Sequence, residues 1–325
     1  MTPIDDQPEL SDLVVDYDPH TLERRDVALA TVLDRLGPSR SARRVARRLA
    51  DADGWLDRDR VDEVLVRSHL ELQRLHEEFR VGALLCDLLT PMLALVRERT
   101  GRSRVRIVDL GCGLGYIVRW LAFGRRLGSD VQLIGADCNR VLVTAAQRLA
   151  DDEQLGCRFV CANAFALGEP ADVIISTGVL HHFRGDALAS VFADHERSPA
   201  AGFVHVDIRP TPLAPIGSWI FHRARMRQRL AQIDGVRSAV RAHGVDVLCA
   251  AAASGAPSFT RATVDAHPGL AGLFRIFQGL VGVRGVDGVR LQAAYADFEI
   301  VPGRYRFTGT GFEPATHRRR RVRLA

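Results

Sequence analysis

The sequence predicts an α/β protein built on a mostly parallel sheet. Apolar strand-like segments alternate with helical patterns between residues 101 and 209, as they do in successive βαβ units. A turn with alternating glycines follows the first of these segments, and polar residues end the later ones. Because ligands bind beyond the carboxyl ends of parallel strands, we expect a ligand site at that edge of the sheet.

The segment before the sheet is predicted to be helical. From residue 19 to residue 100, apolar side chains such as Leu65, Leu72 and Phe79 recur at helical spacing, and no β pattern is present. We therefore assign residues 1–100 to an N-terminal helical cap region over the sheet. One helix in this region alternates arginine pairs with apolar residues, which predicts a solvated outer face formed by Arg43, Arg44, Arg47 and Arg48.

The turn after the first strand, IVDL, carries Gly111, Gly113 and Gly115. Glycine permits a positive φ at these positions and lets the backbone approach a ligand with no Cβ in the way. A dinucleotide fingerprint reads GxGxxG, whereas Tyr116 leaves the pattern GxGxG here, which argues against a nicotinamide cofactor. Asp109 precedes the turn, where a carboxylate orders the loop or faces a cationic ligand such as a sulfonium.

Polar residues also follow the next strands. VQLIGAD ends at Asp137, which lies 22 positions after Gly115, within the spacing at which a carboxylate meets an adenosine ribose. CRFVCANAFAL supplies a third strand and Asn163, and ADVIISTGVLHHF a fourth strand followed by His181 and His182. GFVHVDIRP forms the fifth strand. Together these segments predict a nucleotide-cofactor site.

These segments resemble a known family. The motifs VDLGCGLG, GADCNR, CANAFAL and DVIISTGVLHHF are similar in order and spacing to those of class I S-adenosylmethionine-dependent methyltransferases, over roughly residues 104–210. The resemblance implies a Rossmann-like class I methyltransferase sheet with a closing antiparallel hairpin, and S-adenosyl-L-methionine as cofactor. It also implies that the glycine loop holds the methionine part and that Asp137 holds the ribose hydroxyls. Asn163, which stands where Asp is commoner, accepts from the adenine amine. The implied cofactor-binding residues are Asp109, Gly111, Cys112, Gly113, Gly115, Asp137, Cys138, Asn163, Ala164 and Thr177.

The histidines are the candidate catalytic residues. An oxygen acceptor needs a base to remove its proton, and a histidine has a pKa suited to that task near neutral pH. In the similar plant-type O-methyltransferases a catalytic histidine lies in a related stretch, and alignment of VLHHF places it on His181. His182 is the second candidate for the base. His205 and Asp207, on one face of the fifth strand, form a competing acid/base pair. A purely structural role of His181 and His182 is a further alternative.

We therefore predict an S-adenosylmethionine-dependent methyltransferase that acts on a small or amphiphilic molecule, at oxygen, by in-line transfer with histidine base assistance. The NPPY or DPPY signature of amino-nitrogen methylation and the PC motif of cytosine methylation are absent. A noncatalytic interaction protein with a cofactor fold and a nicotinamide-dependent oxidoreductase are the alternatives. The acceptor, the atom methylated and the oligomeric state remain open.

The rest of the chain is divided by its prolines and glycines. Residues 101–312 are assigned to the methyltransferase domain, with a helical insertion after strand five at about residues 211–285. A closing hairpin is predicted at residues 298–312, where PG lies between short β-prone runs. Residues 313–325 form a basic tail, which we expect to be solvated.

Composition excludes several function classes. All 44 basic residues are Arg, so a phosphate-binding loop with Lys, a Schiff base to pyridoxal phosphate and a lysine base are excluded. Cys157 and Cys161 lack a second ligand pair, so no metal site is predicted. An aromatic content of 6% leaves few side chains on which bases could stack, which argues against nucleic acid as a partner. No apolar run is long enough to span a membrane, and the acidic N-terminus lacks an export signal, so we expect a cytoplasmic protein.

Overall fold

The structure, a computed structural model, describes residues 7–266, 276–296 and 305–308. The N-terminal region is mainly helical, as predicted. A long helix ends at Glu78, and the left-handed residue Arg80 then precedes a second long helix that starts at Val81. The helices of this region are α1 (Leu10–Leu13), α2 (Leu29–Arg35), α3 (Arg40–Leu49), α4 (Arg58–Glu78) and α5 (Val81–Thr100).

The prediction that this region contains no β structure was wrong. Two short antiparallel strands, β1 (Asp16–Tyr17) and β2 (Arg24–Arg25), pair with Tyr17 opposite Arg24. The Asp18 carboxylate accepts hydrogen bonds from the backbone N–H groups of His20 and Thr21, which turns the chain back on itself. Strands of two residues are too short to show the alternation of apolar and polar residues that identifies a β-strand, so this pair could not be predicted from sequence.

The central sheet has eight strands among the described residues. Their spatial order is β10, β8, β9, β7, β6, β3, β4, β5, and β3 to β7 are parallel. The strands are β3 (Val105–Leu110), β4 (Val131–Asp137), β5 (Arg158–Cys161), β6 (Val173–Thr177), β7 (Gly202–Ile208), β8 (Phe259–Ala266), β9 (Phe277–Arg284) and β10 (Tyr305–Thr308). The predicted α/β fold with its five parallel strands is therefore confirmed.

Helices cover both faces of this sheet. Ile107 belongs to the apolar cluster that contains α5, whereas its neighbour Val108 belongs to a second cluster on the opposite face. Both clusters contain side chains from several strands, so the sheet lies at the centre of the core. The remaining helices are α6 (Tyr116–Ala122), α7 (Arg140–Asp152), α8 (Asp186–Arg197), α9 (Ala214–Arg225), α10 (Arg229–Arg241), α11 (Val245–Gly255) and α12 (Gly288–Ala296).

The closing antiparallel strands lie earlier in the chain than predicted. The structure places them at β8 and β9, inside the segment 211–285 that was assigned to a helical insertion. Strand β9 lies between β7 and β8 and is buried on both faces, so it lacks the alternation that identifies a half-exposed strand. The insertion is helical only through α9, α10 and α11. Within the predicted hairpin at 298–312, the structure describes only β10, which pairs with β8; the basic tail at 313–325 lies outside the described residues.

The insertion and the N-terminal region pack together. Helix α10 contacts α1, α3 and α4, and Leu230 of α10 joins the apolar cluster formed by the N-terminal helices. These elements form one helical layer over the carboxyl ends of the parallel strands.

No single helix in the described ranges is long and apolar enough to span a membrane. Helices α4 and α5 taken together have the length and composition of a span, but they are bent by 66° where they meet.

The packing of α5 against the sheet predicts the effect of a core truncation. Leu85 of α5 is 0% exposed, whereas Leu70 of α4 is 44% exposed. We expect Leu85→Ala to lower the free energy of unfolding by about 2 to 5 kcal/mol, because it leaves a cavity in a close-packed core. The same substitution at Leu70 should change it by less than about 0.5 kcal/mol. Denaturant titration followed by circular dichroism measures both, and equal losses would contradict this packing.

Candidate active site

A large cavity lies beyond the carboxyl ends of β3, β4, β6 and β7. Its volume is about 2060 Å³, larger than the roughly 300 to 1,000 Å³ of a pocket for one drug-sized ligand. The cap region, α9 and α10 cover it. Polar residues from the strand ends line one part of the cavity, and apolar residues line much of the rest, among them Leu72, Leu75, Phe79, Ile220, Phe221 and Phe277.

The glycine loop lines the polar part of the cavity. Gly111, Gly113 and Gly115 have φ angles of +68°, +53° and +69°. A Cβ atom on Gly115 would lie 2.1 Å from the Phe159 ring, and one on Gly113 would lie 2.7 Å from Cδ2 of His69. The loop therefore requires glycine for both its backbone conformation and its packing.

Asp137 connects β4 to this loop. Its Oδ2 accepts a hydrogen bond from the backbone N–H of Gly113 at 2.9 Å, and its Oδ1 accepts one from Asn139 at 2.8 Å. A carboxylate has about four acceptor positions, so both oxygens retain capacity toward the cavity. Cys112 and Cys138 also line the cavity.

Asp109 and Thr177 contribute polar groups without partners. Asp109 is 3% exposed and lines the cavity, and no described group donates a hydrogen bond to its carboxyl. Burial, together with the charge of Asp137, raises the pKa of Asp109 to about 8. The Thr177 hydroxyl is also buried without a partner at the cavity wall. Buried polar groups normally have hydrogen-bond partners, so a polar ligand bound in the cavity would supply the partners that Asp109 and Thr177 lack among the described residues.

Asn163 does not line the cavity, although its neighbours Ala162 and Ala164 do. Its Nδ2 donates to the carbonyl of Pro19 at 2.7 Å, and its Oδ1 accepts from the backbone N–H of Phe165 at 2.9 Å. The side chain that was predicted to meet an adenine amine therefore binds the β1–β2 turn instead. This contact could not be predicted from local sequence because Pro19 and Asn163 lie far apart in the chain.

His181 lies between two carboxylates at the cavity wall. Its Nδ1 is 2.7 Å from Oδ1 of Asp207, and its Nε2 is 3.2 Å from Oε1 of Glu9. The backbone N–H of His181 also donates to Asp207. Although burial alone would lower the pKa of His181, the charges of Asp207 and Glu9 and the hydrogen bonds to them raise it to about 10. In this arrangement the His181 ring is an imidazolium at neutral pH.

His182 is held in a similar way. Its Nδ1 lies 2.9 Å from Oδ1 of Asp12 and its Nε2 lies 4.0 Å from Oε2 of Glu9. The ring stacks on His181, with 4.5 Å between the ring centroids. Burial, the largest single effect, opposes the charged form, but the charges of Glu9 and Asp12 and the hydrogen bond to Asp12 together outweigh it, so the pKa of His182 is raised.

The predicted pair of His205 and Asp207 is contradicted by the structure. His205 is 1% exposed and does not line the cavity. Its Nδ1 contacts the Ser176 hydroxyl at 2.8 Å, and its Nε2 contacts His195 at 3.0 Å. Burial lowers its pKa to about 3, so the ring is neutral. The Asp207 carboxylate instead contacts the His181 ring, because β7 ends beside the short turn Leu180–His182.

Glu9 is a site residue that sequence reasoning missed. It is buried at the cavity wall, and its Oε1 also accepts from the Ser238 hydroxyl at 2.8 Å. The following backbone N–H groups of Leu10 and Ser11 donate to the carboxylate of Asp234 at 2.6 and 2.9 Å. Burial would raise the pKa of Glu9, but His182 and His181 lower it to about 2. The contacts with Ser238 and Asp234 join residues more than 200 positions apart, so no local pattern could indicate them.

His76 was also missed, because its spacing on α4 is that of an ordinary helical residue. It lines the cavity, and its Nδ1 has no partner among the described residues. The ring stacks on Tyr116 of α6. Burial and the neighbouring His69 lower the pKa of His76 to about 4, so the cavity wall carries a neutral imidazole here.

Comparison with known proteins identifies the central part of the chain. Residues 107–202 match a family model described as a methyltransferase domain, which extends from β3 to the start of β7. No curated protein matches the sequence significantly. Asp109, Asp137, Thr177 and His181 all lie within the matched segment, whereas Glu9 and the insertion lie outside it.

Several solved structures are similar over most of their own length. Magnesium protoporphyrin IX methyltransferase from Synechocystis PCC 6803 is 17% identical, with a TM-score of 0.45, and covers 69% of this chain and 100% of that chain. The plantazolicin methyltransferase BpumL is 11% identical, with a TM-score of 0.47, and covers 69% and 95%. A methyltransferase from Aquifex aeolicus is 11% identical, with a TM-score of 0.41, and covers 60% and 89%.

Proposed function

We propose that this chain, whose residues 107–202 match a model of a methyltransferase domain, is an S-adenosylmethionine-dependent methyltransferase that methylates an oxygen atom of a small or amphiphilic molecule. One observation carries this proposal: a single cavity joins the polar strand ends to a large apolar compartment. The polar part suits the donor S-adenosyl-L-methionine, and the apolar part has room for an acceptor beside it.

The donor is proposed to bind along the ends of β3, β4 and β6. The glycine loop brings its backbone close to the methionine part, and Asp137 accepts hydrogen bonds from the ribose hydroxyls. Asp109 faces the positive charge of the donor, which its unpartnered carboxyl fits. Asn163 acts indirectly, by positioning Ala164 beside the adenine. Further donor contacts are assigned to Cys112, Cys138, Ala164 and Thr177, which all line the cavity.

The acceptor is proposed to lie under α4 and α9. The wall here is formed by aliphatic and aromatic side chains of both helices and of β9, including Leu75, Phe79, Phe221 and Phe277. Burying such a wall favours a ligand with a substantial apolar surface by about 25 cal/mol per Å² of apolar area removed from water. The helical layer encloses the acceptor, so a small or amphiphilic molecule fits better than a polymer.

Methyl transfer from a sulfonium requires alignment more than it requires chemical assistance. Holding the acceptor oxygen in line with the methyl group supplies roughly 7 to 11 kcal/mol. A hydroxyl acceptor must also lose its proton, and His181 is the proposed base because Asp207 fixes its ring through Nδ1. The hydroxyl takes the place of Glu9 at Nε2, which removes one of the two carboxylates that raise the pKa of His181.

The ionisation of Asp109 predicts a pH dependence of donor binding. Its pKa of about 8 means that the carboxyl becomes charged as the pH rises through that value. The charged form favours the sulfonium of S-adenosylmethionine over the neutral thioether of S-adenosylhomocysteine. We expect the ratio of the two affinities to increase up to roughly tenfold as the pH rises from one unit below the pKa to above it. Calorimetry at several pH values measures this ratio.

Asp109→Asn is the matched control for that experiment. The substitution keeps the shape of the side chain but removes its ionisation, so the ratio of affinities should become independent of pH. The donor amino group titrates in both ligands and cancels in the ratio. Identical pH profiles for Asp109→Asn and the unsubstituted protein would contradict the proposed contact.

The proposed base predicts a separation of binding from turnover. We expect His181→Ala to reduce methyl transfer by roughly 10²- to 10⁴-fold, the usual contribution of general base catalysis, without weakening donor binding. Transfer of labelled methyl groups to a panel of phenols and hydroxylated amphiphiles measures turnover and identifies the methylated atom. Normal turnover in His181→Ala would reject the base, and transfer to nitrogen or carbon would reject the oxygen acceptor.

A further inference from the structure

Glu9, His181 and His182 converge at the cavity wall. One ligand atom from each lies within 4.8 Å of the other two. The Nε2 atoms of His181 and His182 lie 3.2 and 4.0 Å from the two carboxylate oxygens of Glu9. We propose that these three residues bind a divalent first-row metal ion, of which Zn²⁺ and Co²⁺ are suitable probes, because two imidazoles and a carboxylate form a ligand set that such ions favour.

The second atoms of both imidazole rings support this site independently. Nδ1 of His181 lies 2.7 Å from Asp207, and Nδ1 of His182 lies 2.9 Å from Asp12. Histidines that bind metals characteristically donate their other ring N–H to a carboxylate, which fixes the tautomer and the ring orientation. The two outer carboxylates therefore hold both rings with their Nε2 atoms facing Glu9.

The charges and separations also fit. Metal–nitrogen and metal–oxygen bonds of about 2.0 to 2.2 Å place neighbouring ligand atoms roughly 3.3 Å apart around a tetrahedral ion. Three carboxylates, Glu9, Asp12 and Asp207, surround the two rings. A divalent cation between the two rings would therefore lie among three carboxylates, which compensate its charge in the buried site.

The position of the site indicates what the ion would do. Glu9, His181 and His182 all line the cavity, so a remaining coordination position of the ion faces the acceptor compartment. The ion would lower the pKa of a hydroxyl bound there, which would lose its proton to solvent; the oxygen would then bond to the methyl carbon as the S–C bond breaks and leaves its electron pair on sulfur. With an ion bound, His181 would hold the ion and the acceptor oxygen would lose its proton at the ion; in the metal-free protein His181 keeps the role of base proposed above. This role of the ion rests on the proposed function, whereas metal binding itself does not.

The test uses the full chain after treatment with a chelator, without donor or acceptor. Calorimetric titration with Zn²⁺ should show one ion per chain, and the spectrum with Co²⁺ should show nitrogen and oxygen ligands without thiolate bands. The spectrum matters because Cys138 is exposed and other cysteines are free. Glu9→Gln and His182→Gln should each weaken binding by at least about tenfold. Asp12→Asn should weaken it by roughly 10- to 100-fold.

His20→Gln provides the matched control, since His20 lies on the exposed β1–β2 turn in the same N-terminal region. Its metal affinity should equal that of the unsubstituted chain. Asp12 is an exposed residue, so its variant is expected to fold even if those at buried positions do not. No binding, binding that all these substitutions leave unchanged, or a thiolate spectrum would each overturn the site. Donor binding and methyl transfer that persist in chelator would then leave the proposed function intact.

Discussion

The parallel register of β3 to β7 is the constraint on which the site depends. It aligns β3 with both β4 and β6, so that Asp109 lies opposite Gly135 on one side and Ile175 on the other. The same register brings the end of β6 beside the end of β7. Residues that are far apart in sequence therefore reach one edge of the sheet, where the chain leaves each strand and its side chains are free to face a ligand.

The two parts of the cavity differ in electrostatic character. At the glycine loop, Asp109 is buried without a hydrogen-bond donor among the described residues, and its raised pKa reflects the free-energy cost of charging it. At the histidine pair, the carboxylates of Glu9 and Asp207 are compensated by the rings between them, and the pKa of each is lowered although burial opposes this. The first part is therefore suited to receive a cation, whereas the second already contains charges that compensate one another.

Much of the sheet and of the strand-end residues could be predicted from the sequence, because both are encoded locally. The glycine loop needs a positive φ at Gly113 that few other residues adopt, and five apolar segments have the length and composition of buried strands. Strand β9 could not be recognised because it is buried on both faces. Glu9 could not be found because its contacts with His181 and Ser238 depend on how the N-terminal segment packs on α10, which no local pattern specifies.

The most direct test of the central claim is calorimetric titration of the purified protein with S-adenosylmethionine, S-adenosylhomocysteine and NADH. The account predicts that both adenosyl compounds bind with one site per chain and that NADH does not bind. It also predicts that Asp137→Ala weakens binding by about tenfold or more, since a hydrogen bond to a charged group contributes roughly 1.5 to 3 kcal/mol. Binding of NADH alone, or of none of the three, would contradict the account.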